Sequence, residues 1–367
     1  MMLIALALEL AIAAQGGVDD DWARVNSCER LGAFRTRWGE RSRYSRYYEQ
    51  VSRRLGCIRP SVRQPRTVEP VRPPPPRAAM PTVTLDASGR GDVTSLSAAL
   101  DRVATGGTIV VRPGTYWAGM RFERSVTLRG IPDAAGNLPT LRTASQRIPV
   151  IHVYGGSVNL DSLILRAEGP QSNALYILGG NVTARGVQFA WTGTRNADNQ
   201  VAEYAAVYAG VNAIVTIERS RIGPGSSQAL AVSGRANVSI TDSLISNSGG
   251  AYGVFLAGGS LTLRQVNISN AGMALVGNNS GHASLSLVLI HSVNYREKYP
   301  IYVTNNVTIR VQQSIVCIPS GYQWAIAREN ARITASGVYN ANGAVLEQAS
   351  TTSGLPEQAR SFCAGRF

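Results

Sequence analysis

The chain has 367 residues, a formal net charge of +13, 44% hydrophobic and 16% charged residues, and 37 glycines. This composition excludes an intrinsically disordered chain, and abundant glycine beside 7% aromatics suits a turn-rich β protein. Three histidines and no CxxC pair argue against a zinc centre, and no cofactor is expected.

Residues 1–17 read as a secretory signal peptide: an apolar run, broken by Glu9, followed by small residues Ala11, Ala13 and Ala14. The run is too short to span a bilayer, and no other segment reads as a transmembrane span. The expected location is periplasmic or extracellular. Residues 18–60 read as a small basic helical module. Trp22, Val25, Leu31 and Phe34, then Tyr44, Tyr47, Tyr48, Val51 and Leu55, keep helical spacing. Such a hairpin is too small to hold itself by core alone, and a bridge between Cys28 and Cys57 would staple it. Residues 61–81 form a Pro/Arg-rich linker that includes Pro73 to Pro76, an extended and semi-rigid run. Between residues 22 and 80 there are 14 Arg against 4 Glu.

From residue 82 to 367 the pattern is that of a β solenoid. Residues 94–104 place Leu96, Ala99, Leu100 and Val103 on one helical face, a short helix set to cap the open end of a strand stack. The first strands follow at residues 108–111 and 125–128. From Val158 a phrase then recurs: aliphatic, Ser or Thr, aliphatic, polar. Val215, Val238 and Leu261 open it at intervals of 23 residues, Val182 follows Val158 by 24, and a polar insertion stretches the next interval to 33. Such a period marks a solenoid. It leaves room for three short strands and their turns per coil at ~3.3 Å per residue, a parallel β-helix.

Burial explains the repeat, because one coil cannot cover its own apolar stripe. The expected inward column is Val158, Val182, Val215, Val238, Leu261, Leu285, Val307 and Ile333. A second column holds Leu160, Ala184, Ile217, Ile240, Leu263, Leu287, Ile309 and Ala335. Between them runs an outward row of Asn159, Thr183, Thr216, Ser239, Thr262, Ser286, Thr308 and Thr334.

The strand before each phrase carries a second series. His152, Tyr154, Tyr176, Tyr208, Phe255 and Tyr302 are expected to face outward as an aromatic ladder, and aromatic faces stack on the apolar C–H faces of sugars. The polar position of the repeat supplies Arg185 and Arg264, which would favour an acidic polymer, and Glu218 lies one coil from Arg185, as a cross-strand ion pair would require. Two loops break the repeat. Residues 192–203 hold Arg195, Asp198 and Glu203. Residues 291–299 hold His291, Tyr295, Arg296 and Lys298, the candidate catalytic set, in which Tyr or His as base beside a cation could take a uronate C5 proton. Cys317 pairs most simply with Cys363, as Cys28 does with Cys57, and export would let both bridges form. The sequons at Asn181, Asn237 and Asn306 stand at turns just before the phrase and read as turn residues.

A resemblance appears at the solenoid's opening. Thr82 to Asp92, then Ser95-Leu96-Ser97-Ala98-Ala99-Leu100, then Gly107 to Tyr116 with its Arg112-Pro113-Gly114-Thr115-Tyr116 ending, resembles the opening of pectin methylesterases and of the wider pectin-lyase-like superfamily. The resemblance covers residues 82 to about 345. It implies a right-handed parallel β-helix and a polysaccharide held along one face. The esterases' catalytic Gln-Asp-Thr turn is replaced by Ala190-Trp191-Thr192-Gly193-Thr194, no Asp-Phe dipeptide occurs, and no two of Asp161, Asp198, Glu203, Glu218 and Asp242 are adjacent. The esterase, calcium-dependent lyase and paired-acid hydrolase chemistries are therefore without their residues. The expectation is an exported β-helix that binds a polysaccharide, with a lyase-like carbohydrate enzyme using Tyr, His and Arg, or a structural envelope protein, as the alternatives. A nucleic-acid partner is not expected, since export removes it.

Overall fold

The structure, a computed structural model, describes residues 79–193, 204–225, 227–247, 252–291, 299–318, 323–340 and 345–347, together with Glu29, Leu31, Phe34 and Ser52. The chain forms two units, Met1–Pro75 and Pro76–Phe367. In the first unit the four described residues are helical, and Leu31 and Phe34 are buried. The signal segment, the rest of the helical module, most of the linker and Cys28 and Cys57 lie outside the described residues.

The second unit is a parallel β-helix. One coil shows its plan: Leu175–Ile177 on face 1, Asn181–Arg185 on face 2 and Gln188–Trp191 on face 3. Each strand pairs in parallel with its counterparts in the coils before and after, so Val182 lies between Val158 and Val215, and Phe189 between Leu165 and Ile222. Alternate residues point inward, and the face 2 columns are sealed: Val158, Val182, Val215, Val238 and Leu261 are at most 1% exposed. Stacking is what buries them, at about 1.5–3 kcal/mol for a fully buried aliphatic side chain.

The expected columns hold from Val158 to Leu263, slip by two residues in the next two coils and hold again at Ile333 and Ala335. Ala283, not Leu285, continues the first column after Leu261, and Ile309, not Val307, follows Ala283. Leu285 and Val311 instead extend the second column from Leu263 to Ala335. The outward row accordingly passes through Ser284 and Arg310 rather than Ser286 and Thr308. Leu287 is 43% exposed, against the expectation of burial.

The reason is the turn between faces 2 and 3. In each coil one residue there takes a left-handed backbone: Ser162, Gly186, Arg219, Asp242, Gln265, Leu287, Gln313 and Gly337 all have φ between 47° and 64°. The residue after it returns to the core. Where that residue is serine, its hydroxyl closes the turn: Ser243 Oγ donates to the Thr241 carbonyl (2.6 Å) and accepts from the Ser220 amide (3.1 Å). Leu287 occupies the turn position, so its side chain projects to solvent, and hydropathy alone assigns it to the wrong column.

Both ends of the stack are closed. Helix α1, Leu96–Arg102, starts at Ser95, whose Oγ accepts from the Ala98 amide, and buries Leu96 and Ala99 against the strands Met80–Leu85 and Val103–Val111. The Arg124 guanidinium donates to the Val103 carbonyl (2.7 Å) and to the Leu100 carbonyl, a cation at the helix C-terminus. At the far end Val345–Glu347 pairs antiparallel with Arg332–Asn340, which covers a strand edge that would otherwise template association.

Candidate functional site

Face 1 strands are short, three to five residues in most coils, and each places one outward side chain at its centre. Register fixes the outward row as Arg121, His152, Tyr176, Tyr208, Ala231, Phe255, Val276, Tyr302 and Ile326. Five of the six ladder residues anticipated from the sequence thus share one row, and Tyr154 stands two residues beyond His152. Ala231 and Val276 interrupt it, so the rings gather in groups. Tyr252 stacks with Phe255 at 5.9 Å, and Tyr299 with Tyr302 at 5.8 Å, where the Arg328 guanidinium also lies over the Tyr302 ring.

The densest group is at the N-terminal end. His152 meets Tyr154 at 3.9 Å between centroids and Tyr176 edge-on at 4.8 Å, and Tyr176 stacks on Tyr208 at 4.6 Å. Tyr208 is only 5% exposed, packed with Ala205, Ala231, Tyr176 and Phe255. It backs Tyr176 from the adjacent coil, and Tyr176 and Tyr154 present the accessible rings.

Beside these rings opens a pocket of about 300 Å³ lined by Arg147, His152, Gln171, Asn173, Tyr176 and Tyr204, with Tyr154, Pro149 and Leu178. Its polar rim is built by the turns that lead into face 1. Arg147 and Gln171 both hold left-handed backbones, and Arg147 Nε donates to Gln171 Oε1 at 2.8 Å. Asn173 is buried and donates its amide to the Ala205 carbonyl of the next coil (2.7 Å). Burial, reinforced by the neighbouring Arg121 cation, pushes the His152 pKa down from 6.5 to about 4. The ring is therefore neutral at pH 7, and its buried Nε2 has no hydrogen-bond partner among the described residues. A polar atom held out of water without a partner is costly, and a ligand hydroxyl or carboxyl would satisfy it. Arg121 lies over the Tyr154 ring at 3.7 Å and pairs with Glu123 at 2.6 Å.

The other anticipated residues lie elsewhere. Arg185 and Arg264 sit on face 2, in one row with Glu218 and Thr241, and Arg185 Nε reaches Glu218 Oε2 at 2.9 Å. Neither arginine lines the pocket. His291 ends a face 3 strand in register with Ser269. Tyr295, Arg296 and Lys298 lie outside the described residues. Among the described residues no cluster of His, Cys, Asp and Glu could hold a metal ion. Cys317 is fully buried between Ile315 and Tyr339 and is disulfide-bonded, with its partner outside the described residues. Sequence reading missed Arg147, Gln171, Asn173 and Tyr204. The one available signal was the polar run Gln171-Ser172-Asn173 directly ahead of a face 1 strand, all three residues of which are buried.

No family model and no curated protein matches the chain in sequence. Among solved structures it is similar to the pectin methylesterase of Aspergillus niger, with 13% identity and a TM-score of 0.43 over 78% of this chain and 97% of that one. It is also similar to an alginate lyase from a Paenibacillus species, with 14% identity and a TM-score of 0.41 over 70% of this chain and 98% of that one. The likeness lies in the fold, a parallel β-helix. Among the described residues no helix is long and apolar enough to cross a membrane.

Proposed function

We propose that the protein is exported and binds a polysaccharide along face 1, with its principal subsite at the His152–Tyr176 pocket. The observation that carries this is a pocket of about 300 Å³ that joins tyrosine rings to an unpartnered, buried imidazole nitrogen. Ligand pockets combine apolar walls with a few placed polar groups in this way. Tyr154 and Tyr176 would take the C–H faces of sugars, His152 Nε2 would bond a hydroxyl or carboxyl, and Arg147 would favour a uronate. Beyond this pocket, Phe255 and Tyr302 carry the row on over further coils at ~4.8 Å per coil, interrupted at Ala231 and Val276, a span long enough for a chain of several sugars.

The same pocket supports a second reading, uronate β-elimination. The pocket brings a neutral imidazole beside tyrosines and arginine, the residue types that chemistry needs. His152 or a tyrosinate would take the C5 proton, the C4–O bond would break with a C4=C5 double bond forming, and a Tyr hydroxyl would protonate the leaving oxygen.

A glycan array followed by calorimetry on the best polymer tests the first reading, and Tyr176→Ala should weaken the affinity. Retained affinity in a folded Tyr176→Ala variant would remove face 1 as the site. Ultraviolet absorbance of the unsaturated product separates the second reading from the first: growth of that band, lost in His152→Ala, makes the protein a lyase.

A further inference from the structure

Face 3 carries a groove that the aromatic site does not use. Its outward row runs Trp117, Arg142, Arg166 and Ala190 in direct register from coil to coil. The row two residues earlier on the same strands runs Ile164, Gln188 and Arg221. Between these rows lies a cavity of about 410 Å³ whose wall includes Arg166, Glu168, Gln188, Ala190, Thr192 and Arg221. Its space exists because Ala190 stands where a longer side chain would fill the row.

The charges are arranged unequally. Glu168 is committed to Arg142 (3.7 Å), whose guanidinium also lies over the Trp117 ring at 4.3 Å. Arg166 and Arg221 are exposed and have no ion-pair partner among the described residues. Register puts them two coils apart, about 9.6 Å along the axis at ~4.8 Å per strand. Trp117 is 63% exposed at one end of the row, a large apolar ring left in water in line with Arg142 and Arg166. Two unsatisfied guanidinium groups spaced along a groove, with an aromatic plate in line, match a chain of sugar rings that carries an anion at intervals.

We propose that this face 3 groove is a second saccharide site, specific for an acidic oligosaccharide, with Arg166 and Arg221 receiving its carboxylate or sulfate groups and Trp117 stacking on a ring. It is independent of the face 1 proposal, because the two sites share no lining residue.

The test uses the full chain and three probes: oligogalacturonate, a heparin-derived sulfated oligosaccharide and neutral cello-oligosaccharide. Binding is read by calorimetry over a salt series and by quenching of tryptophan fluorescence, with Trp117→Phe identifying the part of the quench that belongs to the groove. Expected is binding of at least one acidic probe and a Trp117-dependent quench. Affinity should fall tenfold or more in Arg166→Gln/Arg221→Gln, with a shallower salt dependence, and recover in part in Arg166→Lys/Arg221→Lys. Ala190→Glu, which fills the groove with a like charge, should abolish it. Preference between the two acidic probes tells carboxylate from sulfate recognition. Tyr176→Ala should leave this quench unchanged, so loss of the face 1 site and loss of this one read out separately. Unchanged affinity in the Gln double variant with native melting behaviour, equal binding of the neutral probe, or a quench that survives Trp117→Phe would overturn the proposal.

Discussion

Tyr176 lies flat against Tyr208, ring centroids 4.6 Å apart and planes 17° from parallel, on adjacent coils of face 1. The two rings are not equivalent: Tyr208 is nearly inaccessible, whereas Tyr176 is half-buried and lines the pocket. Tyr176→Ala should therefore lose roughly 1–3 kcal/mol of saccharide binding, by analogy with base stacking on aromatics, with little change in melting. Tyr208→Ala should cost about 2–4 kcal/mol of stability, because it empties a packed site, and weaken binding only through the loosened Tyr176 ring. Calorimetry and thermal melts on the two single variants check this. Equal melting shifts would deny the supporting role of Tyr208.

Ile240 and Thr241 are sequence neighbours on opposite sides of face 2. Ile240 is fully buried and Thr241 half-buried between Glu218 and Arg264. Ile240→Asp places an unpaired charge in the column and should cost about 4 kcal/mol or more. Thr241→Asp gains Arg264 and meets Glu218, so its effect should stay within about 0.5 kcal/mol. Denaturant unfolding of both variants gives the comparison directly.

His152 makes stability depend on pH. Its folded pKa, about 4, lies below the ordinary 6.5, so below pH 6.5 the unfolded chain binds the proton that the folded chain excludes. The contribution is complete above pH 6.5 and is lost as the pH falls from 6.5 toward 4. His152→Gln cannot titrate and should flatten the stability profile in that window relative to the parent. Saccharide affinity, a property of the folded chain, should hold through that window and fall only as the pH nears 4, where Nε2 takes a proton and can no longer accept from the ligand.

Arg185 and Glu218 form an exposed pair, and such pairs contribute roughly 0–1 kcal/mol. Arg185→Gln should change melting little and leave saccharide affinity at face 1 as it was. A marked loss of affinity would bring face 2 back into the binding surface.

The buried Cys317 is proposed to bond Cys363, with Cys28 bonded to Cys57. Peptide mapping of the unreduced, exported protein should recover those two linked pairs. Recovery of Cys28 with Cys317 would contradict separate N-terminal and solenoid modules.

The sequence by itself determined the solenoid. A recurring aliphatic–Ser/Thr–aliphatic phrase can bury its stripe only by stacking, and so residues as far apart as Val158 and Leu261 fell into one column without any coordinates. The aromatic row was legible for the same reason, since its members precede that phrase by a nearly constant step. Hydropathy failed at Leu287, where the left-handed turn rather than the side chain decides the facing, and the columns slipped by two residues in that coil and the next before Ile333 and Ala335 fell back into place. The two grooves were decided by tertiary structure alone. Arg147, Gln171 and Asn173 come from turns that precede different strands, and they meet because successive coils lie one strand spacing apart. Arg166 and Arg221 are 55 positions apart in sequence and share a groove through the register of face 3. The neutrality of His152 was likewise absent from its letter, because it follows from burial beside Arg121, and that burial exists only once the coils have stacked.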